Sequence, residues 1–136
     1  MGYRQPVYVV VELHASSSDP ADSSTYYFGN PITVLSATAT ARKTYFPING
    51  TVRHCEMCIA CDNAPTAEDT TWVLRLNDTT DYPIKVGAVV NAVNYTITGL
   101  NIPINPGDFF NIKLSTPAWV TNPTGMRQHF ALYVEI

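Results

Sequence analysis

Three cysteines at regular spacing, Cys55, Cys58 and Cys61, are the side chains whose type and spacing could most readily bind a metal. Zinc and iron–sulfur sites need thiolates that converge on one point. The surrounding segment alternates as a strand does, and residues three apart on a strand point to opposite faces. Cys58 is therefore expected to face away from Cys55 and Cys61. The sequence predicts small buried side chains here rather than a metal site.

Catalysis by histidine has no support in the sequence, because His14, His54 and His129 are few and lie far apart along the chain. The chain also contains no nucleophile elbow, no metalloprotease motif and no phosphate-binding loop. We therefore expect no catalytic residues, no cofactor and no metal, and we predict that the protein is not an enzyme.

Four residues in turn-like stretches could form a ligand or interface loop: Trp119, Asn122, Asp78 and Asp81. The ring of Trp119 could stack on a sugar. The favoured alternatives are that it plugs the open end of a sandwich or packs against a neighbouring subunit. Clustered carboxylates could bind calcium, but their spacing matches no calcium loop. Asp and Asn are also ordinary turn residues, since their side chains bond the local backbone.

The charge of the chain argues against nucleic acid as a partner. The 8 Lys and Arg residues and 11 Asp and Glu residues give a net charge of −3, whereas nucleic-acid-binding proteins carry a concentrated basic patch. No apolar run approaches the roughly 20 residues that a membrane-spanning helix needs, so no membrane insertion is expected. The first residues fit no signal peptide, which predicts synthesis in the cytoplasm without one.

Apolar and polar residues alternate with a period of two along most of the chain, which is typical of strands with one buried face. Pro47 limits one short segment to edge pairing, and Asn49-Gly50 predicts a tight turn. Strand-like segments cover residues 6–14, 26–28, 32–40, 43–48, 51–62, 71–77, 84–90, 94–100, 109–115 and 126–136. We expect about eight or nine short strands among them. We predict an all-β chain with a single domain over residues 1–136. Its predicted fold is a jelly-roll-like antiparallel β-sandwich of about eight strands.

Three segments carry a resemblance to a known group of proteins: residues 72–81, 106–113 and 116–124. They are similar to the C-terminal region of many tailed-bacteriophage virion surface proteins, such as fibre head domains and related virion β-sandwiches. The similarity covers residues 50–136, and the Thr-Pro-Ala-Trp-Val-Thr-Asn-Pro-Thr stretch is its most specific part. The resemblance implies a jelly-roll-like sandwich, frequently trimeric, with no set of catalytic residues. A fibre head normally follows a shaft, whereas the first predicted strand here begins soon after Met1. We therefore expect a free-standing virion protein or an excised domain.

The function that this resemblance implies is that of a non-enzymatic structural protein on the virion surface, made in the host cytoplasm. We expect a capsid decoration or head-fibre component that contacts other virion proteins of the capsid or fibre. The alternative is a receptor-binding module at a fibre tip, which would attach to a host surface glycan through its loops.

Apolar residues on both faces of some predicted strands indicate a second covered surface. Tyr8 and Val10 alternate with apolar neighbours on the first strand, and Phe109 opposes Phe110. A sandwich needs only alternate residues to be apolar, so the surplus predicts a homotrimer. The alternative is that these positions lie under a loop of the same chain.

Overall fold

The computed structural model describes residues 5–30, 34–38, 43–46 and 48–136. Within these residues the protein contains ten strands and no helix, and hence no helix that could cross a membrane. The strands are β1 (Tyr8–Ser18), β2 (Thr25–Phe28), β3 (Thr44–Tyr45), β4 (Gly50–Ala60), β5 (Asp69–Leu76), β6 (Thr80–Ala88), β7 (Ala92–Ile97), β8 (Ile102–Ile104), β9 (Phe109–Ser115) and β10 (Met126–Glu135). The all-β prediction is confirmed for the described part of the chain.

The strands form two antiparallel sheets of five strands each. In the first, called here the β10 sheet, the order is β1-β10-β4-β7, and β8 pairs with β4 beyond the end of β7. In the second, called here the β9 sheet, the order is β2-β9-β5-β6, and β3 pairs with β9. This arrangement is consistent with the predicted β-sandwich.

The core lies between the facing sides of the two sheets. Trp72 on β5 and Gln128 on β10 join them directly, because the indole Nε1 donates a hydrogen bond to Gln128 Oε1 at 2.8 Å. The rings of Phe28 and Phe130 also meet between the sheets, edge to face, with centroids 5.4 Å apart. The alternation predicted for the last strand is confirmed from Met126 to Val134. The exception is Ile136, which follows the strand and is exposed.

Most strand bounds differ from the predicted ranges by a few residues, and three of the differences have identifiable reasons. β1 continues to Ser18 through a stretch predicted as a turn, with a shift in its register against β10 after Ala15. β6 begins at Thr80 and tolerates Pro83 because it is an edge strand with a register shift at that point. β8 was not predicted, since it has three residues and contains Pro103.

Two predictions fall wholly or partly outside the described residues. Pro47 lies outside them, as do both ends of the strand predicted over residues 32–40. In the described middle of that segment, Ser36 forms an isolated bridge with Tyr27. The Tyr27 amide donates to Ser36 O at 2.7 Å, which ties this segment to the free edge of β2.

Candidate functional site

The loop that carries Trp119 is fixed to the loop between β4 and β5. The amides of Val120 and Thr121 donate to Thr66 Oγ1 at 3.0 and 3.1 Å, and the Val120 amide also lies 3.1 Å from Glu68 Oε1. The hydrogen bond from Thr66, together with the backbone donors, holds the pKa of Glu68 below its usual value. The Trp119 side chain is 5% exposed and packs in the core cluster. Its ring therefore closes this end of the molecule and presents no face on which a sugar could stack.

Asp78 and Asp81 lie at the other end of β5. Glu68 precedes this strand and Asp78 follows it, and its eight residues span roughly 26 Å at the usual rise per residue. Asn122 stays with Trp119 in the first loop and is exposed. The structure thus divides the four sequence-predicted residues between two ends of the β9 sheet, and they do not form one site.

The Asp81 carboxylate is held by two cations on neighbouring strands. Its oxygens lie 2.8 Å from Arg75 Nη1 and 3.0 Å from Lys113 Nζ. Arg75 also donates to the backbone oxygen of Asp78 at 2.7 Å, which fixes the turn between β5 and β6. Partial burial alone would raise the pKa of Asp81, but the hydrogen bonds and charges of Lys113 and Arg75 outweigh it and hold this pKa below its usual value. This carboxylate is neutralised within the chain rather than offered to calcium.

We expect Asp81→Asn to lower the free energy of unfolding at pH 7 by about 0.5–1 kcal/mol, the range of partly exposed ion pairs. Since the folded-state pKa is lowered, the unfolded state binds more protons, and this contribution is lost as the pH falls below about 4. Urea unfolding at pH 7 and pH 3 measures the difference. It should shrink at pH 3, whereas Asp22→Asn, which removes an exposed loop carboxylate, should show no such pattern.

The outer face of the β10 sheet brings together residues from four strands. His14 pairs with His129, His129 with Cys58, and Cys58 with Asn94, which makes one row across β1, β10, β4 and β7. The two imidazole rings are stacked with centroids 4.5 Å apart. The Cys58 thiol donates to Asn94 Oδ1 at 2.7 Å. These four residues line an open groove of about 750 Å³.

All three histidines of the chain lie on this face. His54 stacks on Tyr133 at 4.5 Å and contacts the ring of Tyr8 at 5.5 Å. Although His14 and His129 lie far apart along the chain, the structure brings their rings into contact. The sequence did indicate the side of the strand on which each histidine lies, because each falls on the outward face in the predicted alternation. The pairing of the first long strand with the last is what the sequence did not show.

The cysteines follow the predicted alternation, but the expectation of small buried side chains is wrong for Cys58. Cys55 and Cys61 are buried, and Cys58 is exposed on the opposite face. Burial, with a smaller contribution from the charge of Glu56, raises the pKa of Cys55 to about 12. Burial also raises the pKa of Cys61. The two buried thiols are thus poor nucleophiles in the folded protein.

We expect a thiol reagent to modify one of the three cysteines rapidly in the native protein and all three after unfolding. The reason is that Cys58 alone among them is exposed, and the thiolate is the reactive form. Mass spectrometry of native and urea-treated protein counts the adducts. In Cys58→Ser the rapid adduct should disappear, and rapid labelling of Cys55 would contradict the described packing.

Comparisons with known proteins assign the chain to no family. No family model matches this chain, and no curated protein matches it. Among solved structures, a chain of Desmodium yellow mottle tymovirus is similar with 10% sequence identity and a TM-score of 0.31. That similarity covers 100% of this chain and 90% of the viral chain.

Proposed function

We propose that the protein is a non-enzymatic structural protein of a virion surface, folded as a jelly roll. The strand order is the observation that supports the jelly-roll part of this proposal. Without the two shortest strands, β3 and β8, eight strands remain. Numbered along the chain, they follow the order 1-8-3-6 in one sheet and 2-7-4-5 in the other. This order supports a jelly-roll fold, an architecture found in viral capsid proteins and also in lectins and cupins.

The fold alone does not separate these functions. The virion role is supported by the resemblance of residues 72–81, 106–113 and 116–124 to tailed-phage surface proteins. Within this role we favour a capsid decoration or head-fibre component. Glycan binding at a fibre tip has less support, because the Trp119 ring is buried and the Asp81 carboxylate is paired with Arg75 and Lys113.

Exposed apolar residues on β1 support assembly with other chains. Tyr8 is 40% exposed and Val10 is 47% exposed on the outer face of the β10 sheet. β1 is also an edge strand of that sheet. Part of this edge is covered further along, where His14 forms a bridge with Gly29 and Asn30 Nδ2 donates to Glu12 O. A contiguous apolar strip at a free edge is typical of a protein–protein interface.

The virion role is tested with particles produced by the genome that encodes the chain. After gradient purification, we expect the chain to co-sediment with capsids and antibodies against it to label the heads. Absence from the particles would contradict the proposal. Labelling confined to the tail would exclude the capsid location but keep the virion role. A glycan array with Trp119→Ala as a control tests the alternative, for which we expect no binding.

We further propose that the protein is a homotrimer, with Tyr8 and Val10 at the subunit contact. Phe109 does not contribute to this proposal, because Tyr45 and Lys43 of the same chain cover its ring at 5.6 and 4.4 Å. Closed cyclic symmetry is the common way to bury such a strip without open-ended assembly.

Sedimentation equilibrium decides the oligomeric state. The expected mass is about 45 kDa, three times the chain mass of 15.0 kDa. Val10→Lys should shift the species toward the monomer. The matched control is Val86→Lys. Val86 lies on β6 in the other sheet and is 57% exposed, so the added charge should leave the trimer intact. A wild-type monomer at micromolar concentration would contradict the proposal.

A further inference from the structure

We propose that Glu12, His14 and His129 form a binding site for one divalent transition-metal ion such as Zn²⁺. One ligand atom from each of these residues lies within 4.8 Å of the other two. The site lies on the outer face of the β10 sheet and does not depend on the virion role proposed above. Nothing in the sequence pattern marks it, because the ligands come from opposite ends of the chain.

Strand register brings the three side chains together. Glu12 and His14 are two apart on β1 and therefore share a face. His129 on β10 lies directly opposite His14, and Ala131 lies opposite Glu12. The small Ala131 side chain leaves room for the Glu12 carboxylate to lean toward His129, whose Nε2 is 3.5 Å from Glu12 Oε1.

The spacing fits a tetrahedral ion. Ligands about 2.0–2.1 Å from zinc lie about 3.3 Å from one another in that geometry. The distance from Glu12 to His129 is already close to this value. The remaining gaps need to close by at most about 1.5 Å, from 4.8 Å. The side chains of His129 and Glu12 are 37% and 56% exposed and have room to rotate. Binding requires the stacked rings of His14 and His129 to turn so that a nitrogen of each faces the ion.

The donor set selects the class of ion. Two imidazoles and one carboxylate suit zinc, nickel, copper or cobalt, and three protein ligands leave a fourth position for water. Calcium and magnesium prefer oxygen ligands and should not compete. Cys58 follows His129 in the same row, but its thiol is hydrogen-bonded to Asn94 and is not counted as a ligand.

Calorimetric titration of the full chain without a polyhistidine tag tests the site with Zn²⁺, and Co²⁺ absorption reports the ligands. We expect one ion per chain and no thiolate charge-transfer band. Removing a residue that only hydrogen-bonds to a metal ligand commonly weakens metal binding about 10–100-fold. His14→Ala, His129→Ala and Glu12→Gln, which remove ligands, should therefore each weaken it at least about tenfold.

His54→Ala is the matched control, because it removes an exposed-face imidazole of the same sheet that lies against Tyr133 and Tyr8. It should bind Zn²⁺ within about twofold of the wild type, as should Cys58→Ser. Circular dichroism establishes that each variant is folded. The proposal is overturned if the wild type binds no Zn²⁺, if His54→Ala weakens binding as much as His14→Ala, or if millimolar Ca²⁺ displaces the ion.

Discussion

Replacing Trp72 with alanine is expected to lower the free energy of unfolding by about 3–5 kcal/mol. Trp72 is among the largest fully buried side chains and stands at the centre of β5, where it faces β10 across the core. Its loss leaves a cavity between two sheets whose backbones are fixed by their ladders. A domain of this size has a stability of about 5–15 kcal/mol, so the variant should unfold at a much lower urea concentration.

A second substitution at the same position separates packing from hydrogen bonding. Trp72→Phe keeps an aromatic ring but removes the donor that reaches Gln128 Oε1 at 2.8 Å. Because Gln128 is buried, its unpaired amide oxygen should contribute about 1–3 kcal/mol of the loss. Adding Gln128→Leu to Trp72→Phe should recover part of that loss. A Trp72→Phe variant as stable as the wild type would contradict the hydrogen bond between the sheets.

Phe130→Ala is expected to produce a comparable loss of about 3–5 kcal/mol. Phe130 is fully buried on β10 and meets Phe28 on β2, so its ring links the two sheets at a second point. The matched control is Phe109→Ala on the outer face of the β9 sheet, where the ring is half-buried. That variant should lose only about 1 kcal/mol.

A double-mutant cycle between Phe28 and Phe130 measures the link directly. Edge-to-face pairs contribute about 0.5–1.5 kcal/mol beyond the area that they bury, so the two losses should couple by about that amount. Urea unfolding followed by circular dichroism gives the four free energies. Additive losses at these two positions would contradict the contact that the structure shows at 5.4 Å.

The strands predicted most accurately are those in which apolar and polar residues alternate without interruption, because this pattern matches the alternation of buried and exposed side chains. β5 and β10 bury every second residue against the opposite sheet, and this period is a local property of the chain. β8 and the second half of β1 escaped prediction for the opposite reason. Pro103 and the serines before Asp19 are turn residues by composition, and only pairing with β4 and β10 makes these segments extended.

The candidate sites were harder to predict because their members meet through tertiary pairing. The faces of His14 and His129 follow from alternation, but their contact requires that the first long strand lie beside the last. The partners of Asp81 likewise come from β5 and β9, and a turn-like sequence around the aspartate gives no indication of them. For Trp119 the sequence left open whether the ring is exposed. In the structure the Val120 amide bonds to Thr66 and Glu68 and fixes the loop, and the Trp119 ring is buried.

Cryo-electron microscopy of the purified particles is the measurement that tests the virion role most directly. The expected result is surface density that fits the two five-stranded sheets, repeated about a three-fold axis, with Tyr8 and Val10 buried against a neighbouring chain. Mass spectrometry of the same particles should detect peptides of the chain. Particles with neither this density nor any peptide of the chain would contradict a structural role on the virion.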